Sequence, residues 1–180
     1  LDLSGAVGWF TCLYPLSLNA TGDRVEALKR VKERVRSVPD HGLGYGLIRD
    51  RSTPHGRVCF NYLGRVGAAT GEPFTAAPGV ETLRGGADRL PSAYPLEINV
   101  DVRDRSGAAE LVAVWSWQDG VLTAEQVGEL ARRWLAELRE LARLTEIGPT
   151  PSDFPLARLD QAAVDALPAG AVEVWPLTPL

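Results

Sequence analysis

The chain has 180 residues, and its shares of apolar residues (45%) and charged residues (23%) indicate a globular protein with a substantial core. Its net charge of −4 argues against a nucleic-acid or anionic-membrane surface, because both need clustered positive charge. We expect neither a membrane span, which needs roughly 18 apolar residues in a row, nor a secretory signal. The two cysteines are too few for a disulfide framework and are typical of a reducing cytosol, so we expect a cytoplasmic protein.

Two further features of the sequence indicate a piece of a longer protein. The chain has no methionine and begins at Leu1. It also ends abruptly at residues 175–180, WPLTPL, without a polar tail.

The first forty residues predict one strand and one helix. Residues 7–18 carry apolar groups on both alternating faces, which favours a strand covered on both sides, with Pro15 ending the ladder or lying at a bulge. Apolar residues at spacings of three and four over 23–37 predict an amphipathic helix, which Thr21 or Asp23 can cap. We expect the charged outer side of this helix to be solvated, with docking of a partner as the alternative.

A glycine-rich stretch, residues 39–46, precedes a short predicted strand at 57–63. Within that strand Asn61 stands among large apolar residues. If its amide is buried it must find partners, or it costs about 1–3 kcal/mol. Either the fold uses this amide as a structural clamp or a bound substrate does.

The middle of the chain predicts a β-hairpin after an irregular stretch. Residues 64–93 are rich in Gly, Ala and Pro and show no period, and such loops are often functional or mobile. Residues 95–103 and 109–118 alternate and can pair through the turn region at 104–107. The first of these strands places three polar residues on one face: Glu97, Asn99 and Asp101. We expect a solvated face there, with a general-base pair as the alternative.

The last third predicts a long helix followed by a connecting segment. Residues 124–144 show the strongest helical period, and Thr123 with Gln126 fits a capping box. Prolines punctuate residues 148–172, which are interpreted as an ordered or semi-ordered linker with one short helix near 160–167.

The sequence contains no complete catalytic or metal-binding set. We expect His41 and His55 to be ordinary, both cysteines to be inert core thiols, and no metal site, because no Cys/His ligand spacing occurs. The glycines at 42–46 lack the strand–GxxxxGK–helix context of a phosphate loop. We expect them instead to let the backbone pass close to another element or to a ligand arm. The residues alone thus predict a mixed α/β domain with one conspicuous amide.

Three ordered motifs carry a resemblance to a known family: VGWFTCLYP at 7–15, PDHGLGYG at 39–46 and FNYLGR at 60–65. In this order and at about this spacing they resemble epimerization domains of nonribosomal peptide synthetases, which are similar to the condensation domains of the same enzymes. The segment TPSDFPL at 150–156 resembles the segment found directly after such domains, and 175–180 resembles the opening of a downstream condensation domain.

The resemblance implies a fold and a set of partners. It implies a mixed-sheet α/β sandwich, one chloramphenicol-acetyltransferase-like lobe of two that surround a tunnel. Residues 1–147 would form the C-terminal lobe, 148–172 the linker and 173–180 the truncated start of the next condensation domain. The implied partners are the N-terminal lobe, an upstream peptidyl carrier protein and the downstream condensation domain. The substrate would be presented on the carrier's 4′-phosphopantetheine arm, with no cofactor bound directly by this chain.

The same resemblance implies roles for several residues. The family's catalytic His and Glu motifs lie before the segment that corresponds to this chain, so no catalytic residue is expected here. Asn61 would contact the thioester or the arm, and Tyr62 would pack or serve as a donor behind it. Because neighbours on a strand point to opposite faces, at most one of the two can readily face the tunnel. Five motif residues would line or shape the tunnel: Trp9, Thr11, Gly44, Tyr45 and Gly46.

Three functions remain open from the sequence. The resemblance favours the C-terminal lobe of an epimerase that converts L- to D-configured aminoacyl or peptidyl thioesters by removing and returning the α-proton. The alternatives are the lobe of a peptide-bond-forming condensation domain and a non-catalytic scaffold that docks the carrier. In all three cases we expect the isolated chain to lack epimerase activity.

Overall fold

The computed structural model describes residues 5, 7–8, 10–50, 56–66, 93–105 and 108–177. Contacts within the chain define two compact units. Unit 1 comprises Leu1–Thr53 together with Leu138–Leu180, and unit 2 comprises Pro54–Glu137. Helices and a mixed sheet are both present, so the predicted α/β class is confirmed. The likeness to a chloramphenicol-acetyltransferase lobe stays a prediction.

Unit 2 is built on a three-stranded sheet. Its strands are β1 (Val58–Val66), β2 (Leu96–Arg105) and β3 (Ala108–Trp117), in the order β1-β2-β3. β1 runs parallel to β2, and β2 pairs antiparallel with β3 up to the partners Arg105 and Ala108. The three strands predicted at 57–63, 95–103 and 109–118, and the hairpin formed by the last two, are therefore confirmed. Most of the irregular stretch predicted at 64–93 lies outside the described residues.

The core of unit 2 lies between one face of the sheet and α3 (Ala124–Leu141). The alternation of β2 places its aliphatic residues on this face, and they cluster with one residue of the helix: Leu96, Ile98, Val100 and Val127. Trp115 and Trp134 meet edge to face beside them, with ring centroids 5.9 Å apart. Such a pair contributes about 0.5–1.5 kcal/mol to stability beyond the hydrophobic effect of the area that it buries.

The start of α3 follows the predicted capping box. The Gln126 N–H donates to Thr123 Oγ1 at 3.2 Å, and the Thr123 N–H donates to Gln126 Oε1 at 2.9 Å. These two bonds satisfy donors that the first turn of a helix otherwise leaves unpaired. Val127 of this helix is buried, whereas Leu130 is 44% exposed. None of the described helices combines the length and apolar character that a membrane span requires.

Unit 1 is helical in its described residues. α1 (Arg24–Arg36) confirms the predicted amphipathic helix, and Asp23 rather than Thr21 caps it by accepting from the N–H groups of Val25 and Glu26. A short α2 (Tyr45–Ile48) follows the glycine-rich turn, and α4 (Gln161–Asp165) lies where the short C-terminal helix was predicted.

The strand predicted at 7–18 is wrong. No strand occurs among the described residues of this segment, although alternate side chains, those of Cys12, Tyr14 and Leu16, are half-buried. The period of two is present, but a strand also needs a neighbour for its backbone groups. Unit 1 offers no strand within its described residues, and Pro15 has no N–H to donate.

The segment after α3 is ordered and has a small core of its own. Thr150, Phe154 and Val164 are buried. Asp153 closes a capping box with Thr150 at the start of a short 3-10 turn, Pro151–Asp153. Whether residues 148–172 link two domains stays a prediction, but they fold as part of unit 1.

Ion pairs fasten this segment to α1. Asp153 accepts from Lys32 at 2.5 Å and from Arg36 at 2.8 Å, and the Ser152 hydroxyl donates to Glu33 at 2.6 Å. Burial acts to raise the pKa of Asp153, but hydrogen bonds from Lys32, the Thr150 N–H and Arg36 outweigh it and hold that pKa well below its usual range. The charged side of α1 was expected to be solvated. This expectation is wrong for Lys32, Glu33 and Arg36, because their charged groups bond to Ser152 and Asp153.

Candidate functional site

Asn61 and Asn99 form an amide pair across the two parallel strands. They are register partners on β1 and β2, and Asn61 Nδ2 donates to Asn99 Oδ1 at 3.1 Å. Both side chains are half-buried. The conspicuous asparagine of the sequence therefore has a partner within the fold, and that partner lies 38 positions away.

The alternation of β1 decides which of its side chains join this pair. Phe60 and Tyr62 pair in register with Ile98 and Val100, so they lie on the face that α3 covers. Asn61 lies on the opposite face, as predicted for neighbours on a strand. Tyr62 remains 57% exposed, since β1 is at the edge of the sheet.

The hydrogen bond between Asn61 and Asn99 uses only part of the hydrogen-bonding capacity of the two amides. A carboxamide carries two N–H donors and one oxygen with two lone pairs. Among the residues that the structure describes, Asn61 Oδ1 accepts no hydrogen bond and Asn99 Nδ2 donates none. Within the described residues, the pair therefore leaves the Asn61 oxygen and the Asn99 nitrogen, together with the second N–H of Asn61 and the second lone pair of the Asn99 oxygen, for a further partner.

Carboxylates flank the amide pair on the same face of β2. Asp101 is buried, at 6% exposure, and Arg103 donates to both of its carboxylate oxygens. Glu97 on the other side of Asn99 is half-buried. The expectation of a solvated polar face is therefore wrong. The general-base alternative finds no support at Asp101, because its carboxylate is held by a guanidinium.

Cys59 lies beside the pair, two residues before Asn61 on the same face. Burial raises the pKa of its thiol, and the negative charge of Glu97, its register partner on β2, raises it further. A thiol is a nucleophile only as the thiolate, so this setting disfavours reactivity. The raised pKa of Cys59 agrees with the expectation that this thiol is inert.

The glycine-rich motif of unit 1 is built around a left-handed turn. Asp40, His41 and Gly42 have φ angles of 46°, 51° and 82° in succession. Left-handed backbone costs about 1–2 kcal/mol for a residue with a Cβ atom. Gly42 is buried, and a Cβ placed there would lie 2.0 Å from the ring of Tyr14. This position therefore requires glycine.

The glycines at 42–46 differ in how closely the backbone approaches another element. Gly44 has an ordinary φ of −78°, and a Cβ at Gly44 or Gly46 would meet no other atom within 4 Å of the described residues. The expected close backbone approach occurs at Gly42, which was not among the predicted site residues.

Residues of unit 1 line an open pocket of about 290 Å³ beside this turn. Its wall includes Tyr14, Tyr45, Gly44 and two charged residues, Arg34 and Asp40. Of the predicted tunnel residues, Gly44 and Tyr45 therefore come together here.

The other predicted site residues lie elsewhere. Thr11 and Gly46 are exposed and do not line this cavity, and Trp9 lies outside the described residues. Asn61 and Tyr62 belong to unit 2. Within the described part of the chain, no group of three or more His, Cys, Asp or Glu residues is placed to hold a metal ion.

Comparison with characterised proteins gives matches along nearly the whole chain. It is 35% identical to one of the linear gramicidin synthase subunits of Brevibacillus parabrevis over 99% of the chain and 2% of that protein. It is 32% identical to chondramide synthase cmdD of Chondromyces crocatus over 99% of the chain and 5% of that protein. For one of the mycosubtilin synthase subunits of Bacillus subtilis the identity is 30%, over 100% of the chain and 8% of that protein.

The chain is homologous to a segment of nonribosomal peptide synthetases. It spans only a small part, 2% to 8%, of the length of these three proteins. No family model matches the sequence, and no solved structure matches it. The family suggested by the three motifs is thereby confirmed at the level of the synthetase.

Proposed function

We propose that this chain is the C-terminal lobe of an epimerization domain, which converts L- to D-configured aminoacyl or peptidyl thioesters on a carrier protein. The observation that carries the proposal is the ordered set of three motifs, at 7–15, 39–46 and 60–65, in a chain of which 99% matches a linear gramicidin synthase. The resemblance of the first motif, Gly-Trp-Phe-Thr, favours epimerization over condensation.

The chemistry assigns this lobe a positioning role. Inverting the α-carbon of a thioester requires a base that removes the proton, a group that returns one on the other face, and donors that stabilise the enolate oxygen. In the described residues the sheet face around Asn61 offers amides, a thiol with a raised pKa, a carboxylate held by Arg103 and the half-buried carboxylate of Glu97. Following the resemblance, we place the catalytic His in the N-terminal lobe and the catalytic Glu just before the Gly-Trp-Phe-Thr motif.

Within the lobe we assign contact with the substrate to Asn61. Its half-burial, its place on the sheet face away from α3 and its free oxygen support this role. Tyr62 lies on the other face and is assigned to packing at the sheet edge or to a donor behind the contact. Five residues remain assigned to the shape of the tunnel: Trp9, Thr11, Gly44, Tyr45 and Gly46.

The proposed partners depend on the same assignment. They are the N-terminal lobe, the upstream peptidyl carrier protein and the downstream condensation domain, with residues 148–172 as the connection and 173–180 as the start of that domain. The substrate reaches the lobe on the carrier's 4′-phosphopantetheine arm, and the lobe itself binds no cofactor.

The test is an exchange assay on the complete domain, expressed with the residues encoded upstream. A carrier loaded with an L-aminoacyl group is incubated with the domain in D₂O, and the released amino acid is analysed for α-deuterium and by chiral chromatography. We expect deuterium at the α-carbon and a mixture of L and D forms. Peptide-bond formation without exchange would identify a condensation domain instead. If neither reaction occurred, a non-catalytic scaffold that docks the carrier would be the remaining function. The isolated chain serves as the control and should show no exchange.

A further inference from the structure

We propose that the pocket beside the glycine-rich turn binds a free α-amino acid with an aromatic or aliphatic side chain. The pocket measures about 290 Å³, near the lower end of the range for small-molecule sites, about 300–1,000 Å³. All of its lining residues belong to unit 1. Such a ligand goes beyond the proposed function, whose substrates are thioesters.

The inner side of the pocket is apolar and partly aromatic. Its half-buried lining residues are Tyr14, Leu16, Val38 and Tyr45. The ring of Tyr14 packs against Gly42, where a Cβ atom would lie only 2.0 Å from it. Two tyrosine rings favour an aromatic ligand, because aromatic rings attract one another in edge-to-face and offset geometries. This side of the pocket therefore fits the side chain of the amino acid.

The exposed side of the pocket carries one cation and one anion. Arg34 and Asp40 both line the pocket and are exposed. Among the residues that the structure describes, neither side chain makes a hydrogen bond or an ion pair. An α-amino acid carries its carboxylate and its ammonium group on one carbon. The Arg34 guanidinium can donate to that carboxylate, and the Asp40 carboxylate can accept from that ammonium group.

The backbone places Asp40 in an unusual conformation at this position. Its φ is 46°, and that of His41 is 51°, so two successive residues with a Cβ atom are left-handed. Such conformations are unfavourable and are found preferentially at functional sites and ligand clamps. The turn continues into the buried Gly42, which packs on Tyr14. It thus joins the anion of the rim directly to the aromatic side of the pocket.

The two charges select a free amino acid over one that is bound to a carrier. A thioester has no carboxylate, so a carrier-bound aminoacyl group would leave Arg34 without a partner. A residue inside a peptide has neither charge. A simple anion or cation would satisfy one of the two side chains and leave the other unpaired. The zwitterion is therefore the ligand class that satisfies Arg34 and Asp40 together.

The test is a titration of the full chain with L-phenylalanine, followed by backbone amide signals in ¹H–¹⁵N spectra. We expect the signals of Gly42, Gly44 and Tyr45 to shift in a saturable way. Three analogues each lack one part of the ligand: 3-phenylpropanoate has no ammonium group, 2-phenylethylamine has no carboxylate and L-alanine has no ring. Loss of either charge should weaken binding about 2- to 5-fold, as for one exposed ion pair. Loss of the ring should weaken it by about 10-fold or more.

Two variants assign the charges to their partners. Arg34→Gln should bind L-phenylalanine about 2- to 5-fold more weakly and lose its preference over 2-phenylethylamine, while it keeps the preference over 3-phenylpropanoate. Asp40→Asn keeps a residue type that tolerates positive φ, and it should show the reverse pattern. Arg132→Gln removes an exposed cation of α3 in unit 2. This matched control should bind L-phenylalanine as the unaltered chain does.

Each outcome decides for or against the amino-acid site. Absence of saturable shifts at the pocket overturns it. Binding of 2-phenylethylamine or 3-phenylpropanoate as tight as that of L-phenylalanine also overturns it, because the two charges would then not be recognised together. If a variant loses its fold by circular dichroism, the analogues still decide on the unaltered chain. The titration contains no carrier protein, so a complete domain without α-proton exchange would refute the epimerase and leave this site standing.

Discussion

Removing the Asp153 carboxylate should release the C-terminal segment from α1. This one side chain accepts from Lys32, from Arg36 and from the backbone N–H of Thr150, at 2.5, 2.8 and 2.9 Å. The substitution Asp153→Ala deletes all three acceptors at once. It also leaves Thr150, which is fully buried, with an unpaired N–H.

The magnitude depends on the exposure of the partners. Asp153 and Lys32 have side chains that are 30% and 29% exposed, and Arg36 is 48% exposed, so solvent screens the second pair more than the first. Exposed ion pairs contribute about 0.2–1 kcal/mol each, and the loss of a capping acceptor costs about 1 kcal/mol. We expect the free energy of unfolding to fall by about 2 kcal/mol, which for a chain of this length lowers Tm by about 4–8 °C.

The effect should depend on pH with a definite sign. The pKa of Asp153 is lowered in the folded state from the ordinary value of 3.8, and that of Glu33 is also lowered. A carboxylate with a lowered folded pKa stabilises the fold fully above its ordinary pKa and loses that contribution as the pH falls through the folded value. The difference between the unaltered chain and Asp153→Ala should therefore be constant from about pH 6 to 8 and shrink below about pH 4.

The assay is urea denaturation followed by circular dichroism in the far ultraviolet, at about pH 7 and about pH 3, with residue-resolved hydrogen exchange of α1. We expect faster exchange in α1 of the variant, since the ion pairs join that helix to the segment. Asp119→Ala, an exposed turn residue of unit 2, is the matched control and should change stability by less than about 0.5 kcal/mol. A loss no larger than that of the control at neutral pH, or a larger loss in acid than at neutral pH, would refute the reasoning.

Two further substitutions and one titration test other parts of the structure. Gly42→Ala should lower the free energy of unfolding by about 2–4 kcal/mol, because its Cβ meets the Tyr14 ring at a positive φ. Gly44→Ala, at an ordinary φ with open space, should be neutral or stabilising by up to about 1 kcal/mol. Thermal melts compare the two, and equal effects would contradict the turn geometry. In a Cys12→Ser background, alkylation of Cys59 should have its midpoint at a higher pH than that of a free cysteine measured alongside, since burial and Glu97 raise the pKa of this thiol. A midpoint below that of the free cysteine would contradict this prediction and show an activated thiol.

The sequence by itself determined the elements whose causes are local. The alternation of β2 predicted its aliphatic face, and Thr123 with Gln126 predicted the start of α3. Asp23 caps α1 through N–H groups two and three residues away. Each of these depends on neighbours within a few positions, so a short window of sequence contains the whole cause.

The failures mark features whose causes lie far along the chain. Residues 7–18 have the period of a strand but not its partner, and the period alone cannot supply backbone bonds from another segment. The charged side of α1 was expected to be solvated because its partners, Ser152 and Asp153, stand more than a hundred positions away. Glycine content marked the turn at 39–46 but did not show which glycine meets Tyr14.

The same division applies to the candidate site. An asparagine in an apolar strand could be interpreted from the sequence as a buried amide that needs a partner. Only the parallel register of β1 with β2 joins Asn61 to Asn99, and a shift of one residue would place Asn61 beside an aliphatic side chain. Local periodicity thus set which residues share a face, whereas the pairing of distant strands decided which side chains meet across it.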